Sequence, residues 1–294
     1  MKDETNHENN MRTLDPRITQ RVVFSFLFLS TLVVVIPVVW VVGVIVARGS
    51  GVLNMEFLTQ MPRMGMRAGG IFPAIVGTLA LVLGTLIFAL PVGIFSAIYL
   101  TEYSKRNWLT RFIELAIVNL AGVPSVVFGL FGLGLFVIFF RFGASILAGS
   151  LTLAVMSLPV MITAAREALQ SVPSSFREVS YSLGATKWQT VRHAVLPHAL
   201  PGILTGTVLS LSRAAGETAP ILFTVAAFYL PRLPQSMFDQ AMALPYHLYV
   251  LSTQVPNVKL ELQYGTALVL VGLIIIMNLV ATVIRSYFRA KKQW

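Results

Sequence analysis

Cysteine is absent from all 294 residues, which excludes disulfides, thiolate metal sites and cysteine nucleophiles. Charge is scarce as well. Asp, Glu, Lys and Arg make up 12% of the chain, where soluble domains carry about 25%. With 56% hydrophobic residues, this shortage excludes an ordinary water-soluble domain, whose surface must stay wet. The only histidines, His7, His193, His198 and His247, fall outside the long apolar runs. No Gly-Lys pair occurs, so the chain lacks the phosphate-cradling loop of P-loop ATPases.

What the chain has instead is long apolar runs. A helix needs about 20 apolar residues to cross roughly 30 Å of hydrocarbon. Val22–Ala47, Ala68–Thr101, Leu115–Phe140, Phe142–Ala165 and Leu262–Ile284 hold no charge, and Pro201–Leu230 is interrupted by Arg213 and Glu217. These runs predict an all-α integral membrane protein with six transmembrane helices. The polar leader Met1–Gln20 precedes a run too long for a cleaved signal peptide, so the first helix should remain as an anchor. Pro37, Pro91, Gly122–Pro124 and Pro159 interrupt the spans, marking either a transport path or kinks that neighbouring helices re-satisfy. Between the last two runs, Leu244, Tyr246, Tyr249 and Leu251 make the loop too apolar for a linker, and it should pack on the outer mouth.

A net charge of +10 would point a soluble protein toward nucleic acid. Here the cations lie between apolar runs. Fifteen fall within Lys2–Arg21, Lys105–Arg111, Arg166–Arg192 and Arg285–Lys292, against six at Arg48, Arg63, Arg67, Arg141, Arg232 and Lys259. The positive-inside rule places the fifteen, and both termini, in the cytoplasm. A lipid bilayer explains the charge, and no nucleic-acid partner is needed.

Arg166–Gly202, the longest segment on that side, reads as two short helices. Ser175 with Glu178, and Thr186 with Gln189, have the spacing of capping boxes. Gly184 should end the first helix, and Leu196-Pro197 should stop the second. Phe176, Val179 and Leu183 share a face that Trp188, Val191 and Val195 continue as an apolar stripe. The unit is either a compact knob or an amphipathic pair lying on the membrane interface. His193 and His198, five apart, read as a polar helix face.

Arg213 and Glu217 are four apart and can pair. A charge near the bilayer centre costs at least about 2.5–3.5 kcal/mol, so both should face protein or water. Glu217 reads as the only acid within a span. The pair either braces helix packing or lines a path where the guanidinium fork meets a passing anion. Arg166, where the fourth run exits, is either a positive-inside anchor or an anion contact at the inner mouth. Gly202, Gly206, Ser210 and Ala214 form a small-residue stripe that lets another helix approach closely.

Glu178-Val179-Ser180, Gly184-Ala185 and Leu196-Pro197 together resemble the EAA loop of permeases in ATP-binding-cassette (ABC) importers, with Val179 and Ser180 where alanines are usual. Arg213-Ala214-Ala215-Gly216-Glu217-Thr218-Ala219-Pro220, with Gly69–Thr78, Gly122–Gly129 and Leu244–Tyr249, resembles the A-type permeases of phosphate-specific importers. The likeness spans about Gly69–Arg285. It implies a type I ABC importer permease fold, a five-helix core with a peripheral first helix, in the bacterial inner membrane. It divides the chain into a cytoplasmic leader 1–20, a first transmembrane helix 21–47, a permease core 68–286 with its coupling loop 166–202, and a basic tail 287–294. It implies that Glu178, Gly184, Ala185, Leu196 and Pro197 couple to an ATPase, and that Arg213, Glu217 and Arg166 border the path. The implied partners are a homologous C-type permease, two ATPase subunits and a periplasmic phosphate-binding protein. ATP and Mg would sit on the ATPase, with no cofactor in this chain. Rival readings are the C-type subunit, a permease for sulfate or molybdate, a stand-alone channel and an intramembrane hydrolase. The hydrolase would need a catalytic set at membrane depth that the histidine positions do not supply.

Overall fold

The computed structural model describes residues 16–105 and 107–290. Lys2, Arg12, Arg106, Lys291 and Lys292 of the basic count, most of the leader, the end of the basic tail and the Arg289 side chain lie outside the described residues. The first elements are α1 (Pro16–Gly49), α2 (Met55–Thr59), β1 (Pro62–Arg63) and β2 (Ala68–Gly69). Next come α3 (Phe72–Ile98), α4 (Trp108–Ala121), α5 (Ser125–Gly132), α6 (Ile146–Gln170) and α7 (Ser174–Ser182). The last are α8 (Lys187–Thr190), α9 (Leu196–Gly216), α10 (Ala219–Thr224), α11 (Leu244–Thr253) and α12 (Leu260–Ala290). The two strands form a small antiparallel ribbon with Pro62 opposite Gly69.

Among the described residues, five helical runs are long and apolar enough to cross a membrane: Gln20–Val52, Phe72–Tyr103, Ile146–Gln170, Lys187–Gly216 and Leu260–Tyr287. The sixth span is bent. Trp108–Ala121 and Ser125–Phe139 meet at 106°, so Leu115–Phe140 is not the single rod its composition suggests. Pro124 has an extended backbone and bars helical geometry at Val123, while Gly122 offers little resistance to the turn.

The fifth span also departs from expectation. Leu196-Pro197 does not stop the second helix of the loop, which runs on into the span. A π-helical turn, Val191–Val195, runs into α9, and Pro197 sits in the first turn of α9. There the missing proline N–H leaves no ladder bond broken. The helix instead ends at Gly216, well short of Leu230.

α1 begins inside the stretch read as leader, packs along α12 and leaves most of its apolar side chains exposed. α3, α6 and α9 pack together as the centre. One core cluster, with Leu81, Leu153, Ile221, Met242, Leu244 and Leu251, lies toward α11 and the start of α3. The apolar loop does pack there: Leu244 donates its N–H to Thr78 Oγ1 at 2.8 Å, and Tyr246 is buried, although Tyr249 is exposed. A second cluster, with Ala97, Ile98, Leu169, Val172, Val191 and Val195, lies at the opposite end of α3. The small-residue stripe is a packing surface. A β-carbon on Gly206 would come within 2.2 Å of the Ala164 Cβ, and one on Gly202 within 2.6 Å of the Ala168 Cβ. α6 and α9 therefore touch with only the Ala164 and Ala168 methyl groups between them.

Candidate functional site

α9 ends because Glu217 turns extended (φ −75°, ψ 132°), and Pro220 then opens α10. α10 packs on α5, the far half of the bent span. The fit is close, since a β-carbon on Gly129 would meet Phe223 at 2.9 Å and the Ala219 carbonyl at 3.0 Å. Two broken spans thus meet half-helix to half-helix. Backbone that leaves regular helix at membrane depth is tolerated only inside protein or along a cavity, so this junction suits a path.

Arg213 Nε donates to Glu217 Oε1 at 3.3 Å. The acid is held in the protein at 17% exposure, while the Arg213 side chain is 51% exposed. Arg213 makes no other hydrogen bond among the described residues.

Arg166 stands apart from this pair. α6 continues to Gln170, so Arg166 lies within the helix rather than at its exit. It is level with the Gly202–Gly206 contact, about 13 Å short of Arg213 along α9. Its Nη2 donates to Glu114 Oε1 at 2.6 Å. Glu114 belongs to α4, which corrects the reading of Glu217 as the only acid within a span. It flanks the apolar run by a single residue, and composition alone could not show that its helix starts at Trp108. The Arg166–Glu114 pair borders an open cavity of about 790 Å³ that Lys105 and Arg111 also line. Three cations against one acid leave that cavity positive.

The second loop region is a compact knob. α7 starts at Ser174 after an extended Pro173, so Ser175 falls inside the first turn and its expected capping box with Glu178 is not made. The chain then reverses at Gly184, whose φ is +77°. Gly184 N–H donates to Tyr181 O at 2.9 Å and Ala185 N–H to Ser180 O at 3.2 Å, a pattern that satisfies the last carbonyls of α7. Thr186 and Gln189 do form their reciprocal box. His193 and His198 each bond a backbone carbonyl one turn back, those of Gln189 and Ala194.

The apolar stripe divides in two. Val191 and Val195 are fully buried against α3 and α6, whereas Val179, Leu183 and Trp188 are 60%, 83% and 45% exposed. The knob therefore presents an outward apolar face beside the exposed Glu178.

Sequence reasoning counted Arg177 only as a positive charge and passed over Glu102. The structure joins them at 2.7 Å, with Glu102 only 7% exposed. Sequence spacing pointed elsewhere, because Lys105 three residues on offers Glu102 a local partner. His247, in α11, is also buried; loss of hydration lowers its pKa from 6.5 to about 4.

Residues 89–293 match the family described as binding-protein-dependent transport system inner membrane component, and the chain belongs to that family. It is similar to the phosphate transport system permease protein PstA 1 of Mycobacterium tuberculosis (strain CDC 1551 / Oshkosh), 36% identical over 280 residues, with 93% of this chain and 90% of that one covered. The phosphate transport system permease protein PstA of Mycobacterium leprae is 36% identical over 274 residues, covering 92% and 89%. The backbone resembles a chain of a bacterial ABC transporter involved in importing the acidic polysaccharide alginate, with TM-score 0.65, 14% identity and coverage of 92% and 99%. It also resembles a chain of the inward-facing MetNI methionine ABC transporter, with TM-score 0.56, 18% identity and coverage of 74% and 94%. The fold is that of an ABC importer permease. The chain is thus a multi-pass inner-membrane protein that works with other subunits of such an importer.

Proposed function

We propose that this permease is the A-type subunit through which a bacterial importer moves inorganic phosphate from periplasm to cytoplasm. The observation that carries the proposal is the Arg213–Glu217 pair at the break of the fifth span. A half-exposed arginine beside unwound backbone offers a planar fork to a tetrahedral oxyanion. Glu217 orients that fork and keeps the anion from being held too tightly. The substrate follows from the relatives named for phosphate transport. Arg166, in its positive cavity, is a second contact nearer the knob. The exposed Val179, Leu183 and Trp188, with Glu178, Gly184 and Ala185, form the surface that docks on a separate ATPase. That ATPase binds ATP and Mg and hydrolyses the nucleotide. A C-type permease and a periplasmic phosphate-binding protein complete the assembly. Both termini face the cytoplasm, and loop 166–202 is the coupling unit within core 68–286.

The test is phosphate uptake normalised to assembled complex in membranes. Arg213→Gln should assemble at normal yield and lose about 10- to 100-fold of that uptake, the worth of one or two charge-assisted hydrogen bonds. Arg213→Lys should keep part of it, and Glu217→Gln should slow release. Full normalised uptake with Arg213→Gln would reduce the pair to a brace.

A further inference from the structure

The chain connects the knob to the membrane body at two points, α6 before it and α9 after it. α3 reaches it through side chains alone. At the end of α3 a π-helical turn, Tyr99–Tyr103, carries Glu102 beneath α7. Arg177 Nε lies 3.1 and 3.3 Å from the two Glu102 carboxylate oxygens, and Nη2 donates at 2.7 Å. Its other bonds go to the carbonyls of Val172 at 2.8 Å and Leu169 at 2.9 Å, at the end of α6. One arginine therefore ties α3, α6 and α7 together. Lys187, which opens α8, stands 5.1 Å over the Tyr103 ring and adds a second tie to the same turn. A buried ion pair gives little net stability over apolar packing, yet it holds one arrangement and is costly to half-break. The arrangement held here is the orientation of the knob against α3.

We propose that Glu102 and Arg177 form a transmission joint that passes movement of the knob into α3. The joint rests on the reading that the knob docks on an ATPase. It adds a pair outside the docking surface and a helix outside the loop. Both are positioning residues, since neither lies on the docking face or at the Arg213 break.

The full complex in vesicles, with its binding protein, tests this by measuring ATP hydrolysis and phosphate uptake in one preparation. Glu102→Gln keeps the shape and an acceptor but removes the charge. It should give normal complex yield and a fall of about tenfold in phosphate moved per ATP. Arg177→Lys keeps the charge but cannot reach the carboxylate and both carbonyls, so it should lie in between, and it carries the same ratio test if Glu102→Gln misfolds. A mere brace would lower yield, hydrolysis and uptake together while leaving phosphate per ATP unchanged. That result, or parental coupling in Glu102→Gln, overturns the joint. Because the chain has no cysteine, Leu183→Cys supplies a single thiol at the exposed tip of the knob for cross-linking to the ATPase. A cross-link both in Leu183→Cys and in Leu183→Cys combined with Glu102→Gln keeps the docking reading and isolates the joint. No cross-link in Leu183→Cys alone overturns the docking reading and the joint with it.

Discussion

Two ion pairs in this chain show opposite ways of placing charge in a membrane protein. Arg213–Glu217 joins residues four apart, through one 3.3 Å bond, with the arginine half exposed. Arg177–Glu102 joins residues 75 apart, through three close contacts, with the acid nearly sealed from the surroundings. A loose, local pair can exchange its partner for a passing anion at little cost. A tight, distant pair cannot, and it acts as a fastening. Exposure, more than the presence of charge, separates a site from a strut.

The largest expected effect breaks the distant pair. Arg177→Met alone should destabilise the purified complex by about 3–5 kcal/mol, because it leaves the buried Glu102 carboxylate uncompensated, whereas Glu102→Gln keeps an acceptor for Arg177 and should cost far less. The double variant should recover part of that loss, giving a coupling energy that thermal unfolding in detergent can read. Additive losses would mean the two side chains do not act as a unit.

His247 sharpens the contrast from another direction, being buried with no charged partner among the described residues. Its pKa of about 4 lies below the ordinary 6.5. As pH falls through about 6.5 the unfolded chain takes up a proton while the folded ring stays neutral. Stability present above that pH is therefore lost progressively down to about pH 4, by up to about 3 kcal/mol. His247→Gln should flatten this dependence, measured as the unfolding midpoint at pH 7 against pH 4.5. An unchanged slope would place the acid sensitivity elsewhere.

The smallest effect is expected for the local pair. A double-mutant cycle on Arg213→Gln and Glu217→Gln should return only about 0.2–1 kcal/mol of stability coupling, the range of exposed pairs. A value as large as that of the distant pair would erase the distinction and make Arg213 a strut as well.

What was legible in the sequence is local in space. Gly184 at the chain reversal, the Thr186–Gln189 box, the Gly202–Gly206 stripe and the Arg213–Glu217 pair each depend on residues within a turn or two. The six spans followed from hydropathy, because lipid imposes one simple demand on a helix surface. Leu196-Pro197 misled, since a proline stops a helix only where its N–H is needed, and the π-helical turn before it removed that need. Pro124 marked a break but not its 106° angle, which depends on how α5 packs against α10. Glu102 and Arg177 were invisible as a pair, because no spacing rule connects the end of α3 to the start of the knob.

The helix from Lys187 to Gly216 runs 30 residues through the second half of the knob and the fifth span. The knob and the charged break are therefore two ends of one beam, and the bare contact between Gly206 and Ala164 is its fulcrum. The arm on the knob side is about 28 Å long and the arm to Arg213 about 10 Å. A rigid tilt about that contact would carry Arg213 and Glu217 together, since Glu217 caps the same helix, and would move the pair about one third as far as the knob end, in the opposite direction.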